Sequence, residues 1–166
     1  MDILKISTEW ARAELFSAKI VGLFSLLILL SAIGFALWGK TVMAKAFVMP
    51  MIVAGLFLVA VGIGLYTANK PRIEQFKSEY NKDANSFIQK EIVRTTKSKG
   101  DFKTVFKVLP AIIIVAVILL LFFPSANWRA ITVTIITTAA FLMIVDSNTE
   151  ARNNAYREEL LKFEDV

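Results

Sequence analysis

Residues 70–107 read KPRIEQFKSEYNKDANSFIQKEIVRTTKSKGDFKTVFK. This is the only long polar stretch between strongly apolar ones. It carries ten basic residues: Lys70, Arg72, Lys77, Lys82, Lys90, Arg94, Lys97, Lys99, Lys103 and Lys107. Against them stand Glu74, Glu79, Asp83, Glu91 and Asp101. Basic segments between membrane spans stay on the cytoplasmic side. Reading this stretch as a cytoplasmic loop therefore orients everything around it.

Two apolar runs precede it. Residues 20–38 carry no charge over 19 positions, which as a helix covers about 28 Å, close to the ~30 Å hydrocarbon core of a bilayer. A tight connection over 39–45 leads to a second run over 46–68, with Pro50 near its entrance. Two more runs follow, over 105–123 and 130–145, joined by Pro124-Ser125-Ala126-Asn127 and the interfacial pair Trp128-Arg129. The expected architecture is all-α: a four-transmembrane-helix bundle with cytoplasmic helical extensions. It divides into an N-terminal amphipathic, interfacial segment (1–19), a first hairpin (20–68), the basic helical segment (69–104), a second hairpin (105–145) and an acidic tail (146–166).

Orientation follows from the cations. Lys5, Arg12 and Lys19, the ten above, and Arg152, Arg157 and Lys162 fall on one side. Only Lys40, Lys45 and Arg129 fall on the other, so sixteen stand against three. Both termini and the basic segment are expected in the cytoplasm. Short connections, the lack of Cys and the lack of a glycosylation sequon point to a bacterial inner membrane. The net charge of +5 is explained by this bias, so no nucleic-acid partner is expected.

The polar segments carry helical patterns of their own. Ile3, Ile6, Trp10 and Ala13 recur at helical spacing before the first span, which reads as a helix lying in the interface with Trp10 at headgroup depth, or as a simple lead-in. Within the basic segment Ile73, Phe76, Tyr80, Ala84, Phe87, Ile88 and Ile92 hold a helical period. Asn81-Lys82-Asp83 is a candidate break. Gly100-Asp101 reads as a helix stop followed by a new N-cap. The apolar stripe needs covering, by the tail, a partner or a second copy. Phe76, Tyr80, Phe87 and Ile92 are therefore the candidate cytoplasmic partner contacts. The acidic tail, which continues the fourth span, is expected to pair with the basic segment by charge.

Small residues mark the faces where spans approach closely. Gly22 and Ser25 lie on the first span, Gly55 and Gly62 on the second, and Thr134 and Thr138 on the fourth. These six are the candidate packing or pore residues. The chain has no Cys and no His, which removes thiolate chemistry and His-based acid–base catalysis. Residues 34–41 match G-x-x-x-x-G-K-T, but a phosphate loop needs a strand before it and here a membrane span ends. Gly62-Ile63-Gly64 lacks the rest of a dinucleotide fingerprint. The pairs Glu79/Asp83 and Asp146/Glu150 share helix faces and read as solvated surface, with cation binding next to the membrane the alternative for the second. No Asp, Glu, Lys or Arg lies in the core of a span, where proton and ion pathways place them.

No enzyme, cofactor or metal site is expected. The reading is a non-catalytic multi-pass protein acting through protein–protein contacts. It would be an accessory or assembly subunit of a membrane complex, or an immunity protein against a membrane-active toxin. Its partners are then the lipid bilayer and a membrane protein or a second copy of itself. The alternative is an oligomeric channel or transporter subunit with residues 132–138 lining its pore.

Overall fold

The computed structural model describes residues 3–164. They form five helices: α1 (Ile3–Trp38), α2 (Val42–Asn69), α3 (Arg72–Lys82), α4 (Ala84–Phe122) and α5 (Ala126–Glu164). There is no strand among the described residues. Four helices are long and apolar enough to cross a membrane, α3 continuing the second of them.

Local chemistry sets the breaks. The Thr41 side chain accepts a hydrogen bond from the Ala44 N–H at 3.1 Å and so caps α2. Pro71 has no N–H, and α2 gives way to α3 there. Asp83 is extended, with φ −161° and ψ 102°, and its carboxylate accepts from the Ser86 N–H at 3.0 Å. This cap turns α3 back into α4, so the basic segment makes two helices that meet at the expected break.

Three expectations need correction. Gly100-Asp101 does not stop a helix; α4 runs unbroken from Ala84 to Phe122. A glycine stop needs a positive φ at the C′ position, and no glycine here has one. Gly100 is simply an exposed helix residue, at a cost of about 1 kcal/mol against alanine. The N-terminal segment does not form a separate interfacial helix either; as in the lead-in reading, α1 is one helix from Ile3. Trp10 is only 8% exposed and lies in a protein core rather than open to lipid headgroups.

The long helices thus build two stacked layers. At one end the arms of α1 and α5, with α3 and the first turns of α4, enclose a head. Its core is Ile3, Trp10, Ala11, Phe76, Phe87, Ile88, Tyr156 and Leu160. Trp10 stacks on Tyr156 at 5.5 Å, and Phe87 meets Phe76 and Tyr80 edge-on at 5.4 and 5.8 Å. Each such pair adds about 0.5–1.5 kcal/mol beyond its buried area. The other end is the apolar layer. There Val21, Ile28, Leu58 and Val145 tie α1, α2 and α5 together, helped by Phe24 stacked on Phe141 at 3.8 Å. Among the described residues the α4 backbone comes close only to α3 and α5. Its apolar span hangs on one neighbour.

Candidate functional site

That arrangement leaves a cleft on the side of the short α1–α2 and α4–α5 turns. Its walls come from α2 (Met49, Val53, Phe57), α4 (Leu109, Ile112) and α5 (Ile131, Ile135, Leu142). Ala46, Ala54 and Ala139 line it as well, and small side chains there make room. The cleft volume is about 780 Å³, within the ~300–1,000 Å³ of sites that take small molecules. Lys45 and Asn127 are the polar residues at its turn-side mouth.

Two features of the sequence build these walls. Pro50 lies inside α2, so the Ala46 carbonyl loses the N–H that would otherwise close its turn. A proline of this kind is tolerated in a membrane helix when its surroundings compensate. On α5 the Thr134 hydroxyl donates to the Ala130 carbonyl at 2.8 Å. Thr138 lies one turn further in, and its buried hydroxyl has no hydrogen-bond partner.

The six packing candidates are placed as follows. Ser25 and Gly55 meet: the Ser25 hydroxyl donates to the Gly55 carbonyl at 3.0 Å. A Cβ at Gly55 would stand 2.6 Å from the Leu29 side chain. A Cβ at Gly62 would lie 3.5 Å from the Ala18 carbonyl oxygen and the Gly22 nitrogen. Gly22 itself is exposed, and a Cβ there would meet nothing within 4 Å. Its contribution is backbone proximity, because its side-chain direction turns away from α2. Thr134 and Thr138 are buried and line the cleft. Thr132 is fully buried, its hydroxyl donating to the Trp128 carbonyl at 2.8 Å.

The four cytoplasmic contact candidates lie elsewhere. Phe76 and Phe87 are buried in the head, and Tyr80 and Ile92 pack against it. The stripe packs against this chain's own arms: Phe76 and Phe87 are taken up in the core, while Tyr80 and Ile92 stay half-exposed. Beside that core runs a polar network. Arg152 donates to Glu14 at 3.0 Å, to Ser17 at 2.7 Å and to Thr149 at 3.0 Å. Burial nevertheless holds the Glu14 carboxyl above the ordinary range, with Arg152 opposing. Arg94 grips Glu91 with Nε at 2.9 Å and Nη2 at 2.7 Å, and lies 4.1 Å from the Trp10 ring centre. The Tyr156 hydroxyl donates to Glu91 at 3.0 Å and stands 2.8 Å from the Ser7 hydroxyl. Burial and the Glu91 charge push Tyr156 well above its usual value, which keeps its proton in place. Tail and basic segment therefore dock, but not by the expected charge pairing. No tail carboxylate bridges to a cation of that segment among the described residues.

The remaining motif candidates resolve locally. Residues 34–41 are the end of α1, the turn and the α2 cap, and no strand precedes them. A Cβ at Gly39 would collide with the Phe35 carbonyl, so this glycine serves a tight turn. Asp146 is half-buried, and burial alone raises its carboxyl.

The cleft is the feature the sequence reading missed. Thr134 and Thr138 mark one of its walls, but the opposing wall depends on where α4 packs. Comparison with protein-family models, with curated proteins and with solved structures finds no match.

Proposed function

We propose that this chain is a non-catalytic multi-pass membrane protein that works by binding inside the bilayer, through the open side between α2 and α4. The observation that carries this is the cleft itself. Three helices flank an open cleft of about 780 Å³ that their own side chains leave empty. In the head, by contrast, Trp10, Phe76, Phe87 and Tyr156 are packed into its own core.

Two finer roles belong to this reading. An accessory or assembly subunit would lay the cleft against a membrane partner, and an immunity protein would meet a membrane-active toxin there. The cation distribution favours both termini in the cytoplasm, and the short connections, the lack of Cys and the lack of a sequon favour a bacterial inner membrane. The channel alternative loses support, because the Thr132 and Thr134 hydroxyls bond their own helix backbone instead of a lumen.

The test exploits the lack of cysteine. Single substitutions Val53→Cys and Ile135→Cys place a thiol-linked photo-cross-linker in the cleft, and Leu27→Cys places it on an apolar face outside. In native membranes the two cleft positions should capture one defined molecule that the outside position does not. The same unselective mixture from all three positions would end the reading.

A further inference from the structure

The mouth of the cleft has an unusual charge balance. No Asp or Glu occurs between Glu14 and Glu74, nor between Asp101 and Asp146. The turn-side end of the molecule therefore holds Lys40, Lys45 and Arg129 without a single carboxylate. None of the three has an ion pair among the described residues. All three side chains are exposed.

The helix ends sharpen this. α2 begins at Val42 and α5 at Ala126, and neither has an acidic residue in its first turn. Lys45 and Arg129 are each the fourth residue of their helices. An N-terminus carries a partial positive charge, so a cation there is unfavourable and an anion is favourable. Of these groups, Lys45 near the start of α2 and Asn127 in the first turn of α5 line the mouth, while Lys40 and Arg129 lie at the same turn-side end outside its lining. An anion bound at the mouth would offset Lys45 at its helix start.

Below the mouth the chemistry changes. From Lys45 to Phe57 the α2 wall descends about 18 Å, close to the ~15 Å of one leaflet's hydrocarbon. Apolar side chains dominate that depth. An acyl chain matches that apolar depth.

We infer that the cleft seats an anionic lipid of the turn-side leaflet, its acid headgroup held by Lys45 and Asn127 at the two helix starts and an acyl chain laid along Val53, Phe57 and Ile135. This deepens the proposed function and rests on the cleft being the working site. The lipid fills the gap that α4 leaves by packing on α5 alone.

The experiment is native mass spectrometry of the detergent-purified full chain, offered equal amounts of phosphatidylglycerol and phosphatidylcholine with identical chains. The wild type should retain one phosphatidylglycerol in preference to phosphatidylcholine. Lys45→Glu should reduce that preference roughly five-fold or more, the factor expected for one surface cation near anionic lipid. Val53→Trp fills the cleft from an exposed position and should abolish retention of either lipid. Leu27→Trp, outside the cleft, should change neither. Equal retention of the two lipids by the wild type, or a preference that survives both Lys45→Glu and Val53→Trp, would overturn the inference. Capture of a protein segment from Val53→Cys, with no lipid retained, would also overturn it while leaving the bilayer-binding reading intact.

Discussion

In the head, Trp10, Phe87, Tyr156 and Leu160 are all buried, whereas in the apolar window of α4 only 6% of residues are. The same helices make both layers, so the difference comes from the solvent. In water an apolar stripe drives its own covering at about 25 cal/mol per Å². The head is therefore closed, with aromatic side chains interlocked and charges paired at its margin. In lipid that drive vanishes, and helices associate through close packing and hydrogen bonds. The α1–α2 contact meets this demand with Gly55, Gly62 and the Ser25 bond. The α2–α4 side has nothing equivalent and stays open. Closure belongs to the head, and availability to the membrane layer.

Substitutions test that division most severely in the head. Phe87→Ala should destabilise the protein by about 3–5 kcal/mol, the usual loss for a buried aromatic. Thermal unfolding in detergent would show it, and protease should then cut the α3 region. A small loss would mean that the head is not a true core. In the membrane layer the tightest point is Gly55. Gly55→Val should cost about 1–3 kcal/mol through overpacking against Leu29, while Gly62→Ala should be felt much less, its new Cβ making ordinary contacts at 3.5 Å. Equal effects would show that the helices do not pack as described.

The polar margin gives an effect of the same order. Arg152→Ala leaves Glu14 buried without its cation and should cost about 1–3 kcal/mol. Adding Glu14→Gln should recover part of that loss, read from the same unfolding curves. The pH dependence has a definite sign. An acid with a raised folded pKa contributes stability when protonated, and that contribution is lost as pH rises through the raised value. Relative to Glu14→Gln, the wild type should therefore gain stability as pH falls from neutral through the raised pKa toward 4.5. A flat difference would put the carboxyl in water. The smallest change is expected at Thr138→Val, within about 0.5 kcal/mol, since its hydroxyl has no partner to lose.

The apolar runs made the spans legible, because length and the lack of charge are sufficient signals. The period from Ile73 to Ile92 foretold a stripe that needs covering, and the tail was among its possible covers. Trp10 was harder to place. An amphipathic arm suits lipid headgroups and a protein core equally, and nothing within α1 distinguishes the two. Gly100 misled because glycine marks a stop only when the backbone turns left-handed, which packing decides. The cleft was not legible at all. The order in which four apolar rods pack leaves little trace in their composition, and only Thr134 and Thr138 hinted at one wall.

The unbroken course of α4 gives the molecule a mechanical property. From Ala84 to Phe122 it is a rod of 39 residues, about 58 Å long, leaning on α5 and reaching both layers. Pro110 is its one soft joint, where the ladder lacks a donor. A load that moves the turn-side end of this lever is either absorbed at that joint or delivered at the far end. There Asp83, the bend between α3 and α4, is the point that must yield.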